Sequence, residues 1–190
     1  ANDESTENSP VFLRDYFRKL LVIFKNFFAH NSIRYLLLFA FLSGLLINYL
    51  GLWSKWPLML LVILFAPFYE WYAHKFILHK ELTKKDSWFR EFQIKLHHGH
   101  HAKPEDINLQ FAPPLAIITL FIQTYLFYSL LCLSFKTALV PIFSTLLYYL
   151  FYEWIHLAHH STQYKPITRI GKSLKEAHMR SVDLCQATKS

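Results

Sequence analysis

Four long uncharged stretches constrain the fold of this 190-residue chain more than any other feature. They cover residues 35–53, 56–69, 111–135 and 137–152, and none of them contains Asp, Glu, Lys or Arg. A bilayer core of ~30 Å requires about 20 apolar residues in a helix. The first and third stretches are long enough, whereas the second and fourth reach that length only if their helices continue through Glu70–Trp71 and Glu153–Trp154. The sequence therefore predicts an all-α membrane protein with four transmembrane helices.

The N-terminal segment differs in character from the stretches that follow it. Residues 11–28 mix aromatic and aliphatic side chains with Arg14, Arg18, Lys19 and Lys25. This composition is typical of a helix that lies in the membrane interface, and an additional core helix is the alternative. We therefore divide the chain into three parts: a polar N-terminus with an interfacial helix (1–34), a membrane domain (35–180) and an atypical tail (181–190).

The distribution of basic residues predicts how the four spans are oriented. Two short loops lie on one side of the membrane, and Lys55 and Lys136 are their only basic residues. The other 18 of the 20 Lys and Arg residues precede the first span or follow the second and fourth. By the positive-inside rule, this second side is cytoplasmic. We interpret the net charge of +7 as a sign of this topology and of contact with anionic lipid headgroups, not of nucleic-acid binding.

Histidines gather on the same predicted side. Ten of the 11 lie at the cytoplasmic ends of the second and fourth spans or in the segments after them, and His30 alone lies elsewhere. They form four groups: His74 and His79; His97, His98, His100 and His101; His156, His159 and His160; and His178. Imidazole is a common metal ligand. We therefore predict a cytoplasmic, histidine-rich metal site.

The spacing within the groups favours metal ligation over a scattered structural role. Positions i, i+3 and i+4 of a helix project within about 60° of one another, so an HxxHH group directs its imidazoles at one point. His74 and His79 are five residues apart, roughly 140° around an α-helix. These two rings converge only if the helix unwinds, or else they serve different ions. The spacing thus indicates a site for two metal ions.

Two carboxylates accompany the histidine groups. The tetrapeptide FYEW occurs twice and places Glu70 four residues before His74 and Glu153 three residues before His156. A carboxylate at that depth in a membrane is costly without a partner. We expect each one to accept the second ring N–H of a ligand histidine and so orient it. Direct ligation of the metal is the second possibility.

The order of these motifs resembles that of the fatty acid hydroxylase superfamily. The matching segments are HKFILH (74–79), HHGHH (97–101), HLAHH (156–160) and a final histidine at 178. The spacing of five residues in HKFILH and the run HHGHHAKPEDINLQFAPP are most similar to the fatty acid 2-hydroxylases. The similarity covers roughly residues 35–180.

The resemblance implies a four-helix membrane fold with a di-iron site on the cytosolic side, in which zinc can substitute for iron. The implied metal ligands are His74, His79, His97, His100, His101, His156, His160 and His178. His98 lies outside the family pattern, and we rank His159 below its neighbours.

The function implied is oxygen-dependent hydroxylation of a fatty acyl chain, as in a fatty acid or ceramide 2-hydroxylase. Breaking an unactivated C–H bond requires a redox metal that activates dioxygen. Electrons are expected from a separate cytochrome-type donor, and the expected location is the endoplasmic reticulum or the bacterial inner membrane.

Two alternatives stay open. One is a sterol or carotenoid hydroxylase or desaturase of the same superfamily. The other is a metal-binding or metal-transporting membrane protein. A transporter would place polar ligands near the middle of its spans, whereas the spans of this chain are apolar until their cytoplasmic ends, with Asn48, Gln123 and Thr124 as minor exceptions.

The last histidine group departs from the family pattern. The family has HxxHH there, and this chain has Ser181 and Val182 in place of the second and third histidines. A hydroxyl group is a poor iron ligand and an isopropyl group is none. We therefore expect incomplete metal binding and low turnover.

This departure generates a first prediction. Changing Ser181→His and Val182→His, with a longer C-terminal tail if needed, should raise the metal content toward two ions per chain, because these positions are i+3 and i+4 from His178 on a helix. Elemental analysis of the purified, folded protein measures this content. Full occupancy in the unmodified chain would show that the pair is not required.

Overall fold

The computed structural model of the protein describes residues 10–78, 88–94, 106–161 and 164–187. These residues form helices and short turns, and no strand occurs among them. The helices are α1 (Pro10–Ala29), α2 (Asn31–Tyr49), α3 (Pro57–Ala73), α4 (Trp88–Gln93), α5 (Ile107–Gln110), α6 (Pro114–Leu131), α7 (Leu139–His160) and α8 (Arg169–Ala187). The predicted all-helical class is confirmed.

Four helical segments are long and apolar enough to cross a membrane, as predicted. They are Asn31–Tyr49, Pro57–Leu78, Pro114–Leu131 and Phe135–His160. The second and fourth continue through their glutamate and tryptophan residues, which is the extension that the bilayer thickness demanded. The protein is therefore an integral membrane protein.

Two tight connections bring Lys55 and Lys136 to the same end of the bundle. Between α2 and α3, Gly51 adopts φ of 64°, a left-handed conformation that glycine reaches without steric strain. A short 3-10 helix, Leu52–Lys55, follows it. A turn over residues 132–138 joins α6 to α7 in the same way. As a result, α3 and α7 both run toward the opposite end, where the histidines lie.

The most buried of the four spans contains α7, which packs against α2, α3 and α6. The buried core joins side chains of α2, α6 and α7, including Ile33, Leu36, Ala40, Ile117, Ile142 and Leu146. Gly44 of α2 allows a close approach, because a Cβ atom there would lie 3.3 Å from the ring of Phe143. Ser144 Oγ donates a hydrogen bond to the Met59 carbonyl oxygen at 3.1 Å and ties α7 to α3.

The predicted N-terminal helix is present as α1 and packs against the histidine-bearing end of α7. The rings of Phe24 and Phe27 lie 4.7 and 5.5 Å from that of Trp154. Between α1 and α2, His30 caps the second helix: its Nδ1 accepts a hydrogen bond from the Ser32 N–H at 3.3 Å. Burial lowers the pKa of His30, which favours the neutral ring that can accept this bond.

Candidate metal centre

The last turn of α7 carries two buried histidines on one face. His156 and His160 are four residues apart, so the helix places their rings one above the other. Their Nε2 atoms are 3.2 Å apart, and both side chains are 5% exposed. Their ring planes are nearly perpendicular, at 89°. The two nitrogen atoms thus face a common point just past the apolar part of the span.

His178 of α8 supplies a third nitrogen to the same point. Its Nε2 lies 2.9 Å from the Nε2 of His160, and the ligand atoms of the three histidines all lie within 4.8 Å of one another. Two nitrogens bound ~2.1 Å from one ion are separated by about 3.0–3.4 Å. The His156–His160 and His160–His178 separations lie close to this range, and the three residues form a group that could hold a metal ion.

A lysine fastens α8 to the end of α7. The Nζ of Lys175 donates hydrogen bonds to the carbonyl oxygens of Ser161 and Tyr164, each at 2.7 Å. Burial lowers the pKa of Lys175. Because Lys175 is one turn before His178, this contact positions the His178 ring. Lys175 was not predicted from the sequence. The only sign of its role there is its position three residues before the predicted ligand His178.

His159 does not join the three converging nitrogens, although it is buried. Its ring centroid is 5.7 Å from that of His178 and 6.5 Å from that of Tyr164. Consecutive helical positions project about 100° apart, so His159 and His160 cannot face the same point. This arrangement agrees with the lower rank that the family pattern gives His159.

The first histidine group lies where α3 changes its helical geometry. Residues His74–Leu78 form a π-helix that continues α3. In a π-helix each N–H bonds to the carbonyl group five residues back, and such segments are frequent at functional sites. The helix therefore departs from α-helical geometry at His74. Both alternatives for this group, convergence of the two rings or service to two ions, stay open. His79, His97, His100 and His101 lie outside the described residues, and their role as ligands stays a prediction.

The two carboxylates have different surroundings. Glu70 Oε2 accepts a hydrogen bond from the Tyr148 hydroxyl at 2.6 Å. Glu153 is 3% exposed, and its Oε2 atom has no hydrogen-bond partner among the described residues. An unpaired buried carboxylate oxygen is costly in a membrane, which supports a partner at this site. The orienting role expected for Glu70 and Glu153 stays a prediction.

Tyr152, which was not singled out from the sequence, lies beside the candidate centre. The ring of Tyr152 is stacked on that of His156, with centroids 5.6 Å apart and planes at 8°. This stacking restricts rotation of the His156 ring. The i, i+4 spacing of Tyr152 and His156 was the available signal, since such pairs meet on a helix.

The helix α8 continues through the altered positions of the last histidine group. It ends at Ala187, so residues 181 and 182 are helical and lie three and four positions after His178. The expected departure at Ser181 and Val182 therefore falls within a helix, and its effect on metal binding stays a prediction.

The comparisons identify the family. The family model described as fatty acid hydroxylase matches residues 59–183, which is more than half of the chain. No curated protein and no solved structure matches the chain. The match includes α3, α6, α7 and the His178 segment, and it shows that the chain belongs to the fatty acid hydroxylase family. It does not distinguish the 2-hydroxylase branch, which stays a prediction.

The geometry of α7 gives a prediction that separates neighbouring histidines. His160→Ala should reduce the affinity for Zn²⁺ or Co²⁺ more than tenfold, because it removes the nitrogen that faces both other ligands. His159→Ala should change the affinity less than threefold. Titration against a competing chelator measures both affinities on the folded protein. Equal losses in the two variants would contradict the three-histidine site.

The hydrogen bonds of Lys175 give a second prediction about metal affinity. Lys175→Met should lower metal affinity ~10-fold, in the range measured for residues that orient a metal ligand. Lys172→Met on the same helix is the control, because Lys172 is exposed. The same chelator titration applies. An unchanged affinity in Lys175→Met would show that α8 docks without this contact.

Proposed function

We propose that this member of the fatty acid hydroxylase family is a membrane-bound, di-iron, oxygen-dependent hydroxylase that acts on a fatty acyl chain near its carboxyl or amide end. The convergence of His156, His160 and His178 at the end of a membrane span is the observation that carries the proposal. A metal at this point lies beside the bilayer, within reach of a lipid that keeps its tail among the helices.

The donor set suits iron. Neutral imidazole nitrogens bind iron well and leave the metal its positive charge. When bound, iron would supply the activation of dioxygen that C–H hydroxylation requires. The residues of the chain would hold the metal and orient its ligands. Lys175 positions the helix that carries His178, and Tyr152 restricts rotation of the His156 ring. The predicted histidines at 74, 79, 97, 100 and 101 would complete the pair of iron sites.

An apolar groove supports an acyl chain as the substrate. It lies between α3 and α7, has a volume of about 240 Å³, and is lined by Met59, Ile63, Ser144, Leu147, Tyr148 and Phe151. Ile63, Leu147 and Phe151 are exposed on the outer surface of the bundle, which faces lipid in a membrane. The groove is thus accessible from the bilayer and almost free of polar groups.

The groove also leads toward the candidate centre. Tyr148, in its lining, donates a hydrogen bond to Glu70, and Glu70 lies one helical turn before His74. Along α7, Tyr148 precedes His156 by eight residues, or about 12 Å at 1.5 Å per residue. An acyl chain in the groove would therefore extend along α7 toward the histidines. This arrangement favours a flexible chain over a rigid, flat lipid.

The orientation of the enzyme in its membrane and the source of its electrons are also part of the proposed function. The metal site is proposed to face the cytoplasm from the endoplasmic reticulum or the bacterial inner membrane, because the basic residues concentrate on its side. Electrons would come from a separate cytochrome-type protein, with dioxygen as the oxidant and water as the second product.

The function is tested by hydroxylation of added lipids. The chain and its Ser181→His, Val182→His form are supplied with ferrous iron, a reductant, isotopically labelled dioxygen and, separately, fatty acyl, ceramide, sterol and carotenoid substrates. Mass spectrometry should detect labelled hydroxyl groups on the acyl substrates, with more product from the second form. Absence of product from that form on all four substrates would refute the enzymatic function.

A groove variant tests the substrate site in the same assay. Leu147→Trp should shift the preference toward shorter acyl chains at least threefold, since the larger side chain fills the groove. Leu126→Trp on α6 is a control, because Leu126 is also exposed to lipid and lies outside the groove. An unchanged preference in Leu147→Trp would place the acyl chain elsewhere.

A further inference from the structure

The first helix, α1, has three distinct faces. At 100° per residue, Arg14, Arg18 and Lys25 lie within about 40° of one another and form one line along the helix, here called the basic stripe. All three side chains are exposed. An apolar face, made of the exposed residues Phe17, Leu21, Phe24 and Phe28, directly borders the stripe.

The third face of α1 is occupied by the protein itself. Ile23 and Phe27 are each 4% exposed and belong to the hydrophobic core. These two residues lie more than about 130° around the helix from the basic stripe. The stripe therefore points away from the bundle, and its charges are available to a partner.

The contacts of α1 place it at the level where the spans end. Phe27 packs on Trp154, six residues before the last residue of α7, and on Phe111, three residues before α6 begins. With its charged residues, α1 is not among the segments that are apolar enough to span the membrane. A helix at this level, with an apolar face beside a basic one, has the arrangement of helices that lie in the membrane interface.

We propose that the basic stripe of α1 binds the phosphate groups of anionic phospholipids while the neighbouring apolar face inserts among their acyl chains. Charge complementarity selects this partner: three exposed cations lie in a row, and Asp15, a neighbour of Arg18, is the single acidic residue of α1. The adjoining phenylalanines favour a lipid, because they would be buried in the acyl region directly below the headgroups.

Lipid binding at this surface would act on the end of α7. Phe24 and Phe27 contact Trp154, and Trp154 lies two residues before His156. A lipid that holds α1 in the interface would thereby hold these phenylalanines against Trp154. The inference is independent of the proposed function, because it requires neither metal nor turnover.

The experiment measures lipid selectivity in the full-length chain. The protein is reconstituted in phosphatidylcholine nanodiscs that contain traces of spin-labelled phosphatidylglycerol or spin-labelled phosphatidylcholine. Electron paramagnetic resonance gives the motionally restricted fraction of each lipid. The wild type should prefer phosphatidylglycerol. In the triple variant Arg14→Gln, Arg18→Gln, Lys25→Gln this preference should fall at least fivefold, which is about the effect of a single basic residue at an anionic surface. Raised salt should weaken the preference in the wild type.

A matched variant controls for net charge. Lys19→Gln, Lys55→Gln, Lys136→Gln also removes three exposed cations, none of which belongs to the basic stripe. This variant should keep most of the wild-type preference, and so should Arg14→Lys, Arg18→Lys, which conserves the charge. No preference in the wild type would overturn the proposal. Equal losses in the two triple variants would also overturn it, since overall charge would then suffice.

Discussion

The hydrocarbon core of a bilayer offers no hydrogen-bond partner, and the rest of the structure follows from that constraint. Backbone groups are satisfied within helices, and several hydroxyl groups bond one turn back. Thr119, Thr124 and Ser129 donate to the carbonyl oxygens four residues earlier at 2.9, 2.8 and 2.7 Å. Groups with stronger hydrogen-bonding demands lie in the half of the bundle that ends at His156 and His160. Tyr148 donates to Glu70 near the middle of α7, and the converging histidines lie about 12 Å further along that helix.

The helix α7 connects this level to the rest of the bundle. It contacts α1, α2, α3, α6 and α8, so the positions of His156 and His160 are fixed by packing along the whole helix. The side chain of His178, in contrast, reaches the site from α8, outside the spans. The three-nitrogen arrangement thus combines a rigid pair with a ligand that depends on how α8 docks.

The four spans and part of the histidine arrangement could be predicted from the sequence, because both depend on local rules. Bilayer thickness sets the length of an apolar helix, and a spacing of four residues brings His156 and His160 together. Contacts between segments that are far apart in the sequence leave no periodic pattern from which they could be predicted. Tyr148 and Glu70 are 78 residues apart, and Lys175 bonds to backbone oxygens rather than to a recognisable side-chain partner. The spacing of five residues between His74 and His79 left two alternatives open, an unwound helix or two metal ions, and it did not predict the π-helical form of His74–Leu78.

The division of ligands between α7 and α8 links metal binding to folding. A metal that binds only the docked arrangement stabilises docking by its own binding free energy, and by the same linkage any contact that stabilises docking raises metal affinity. The bonds of Lys175 to Ser161 and Tyr164 are such contacts. The packing of α1 on Trp154 acts on the other side of the site, where it restrains the end of α7. At the proposed site, metal affinity would consequently depend on two helix contacts as well as on three imidazoles.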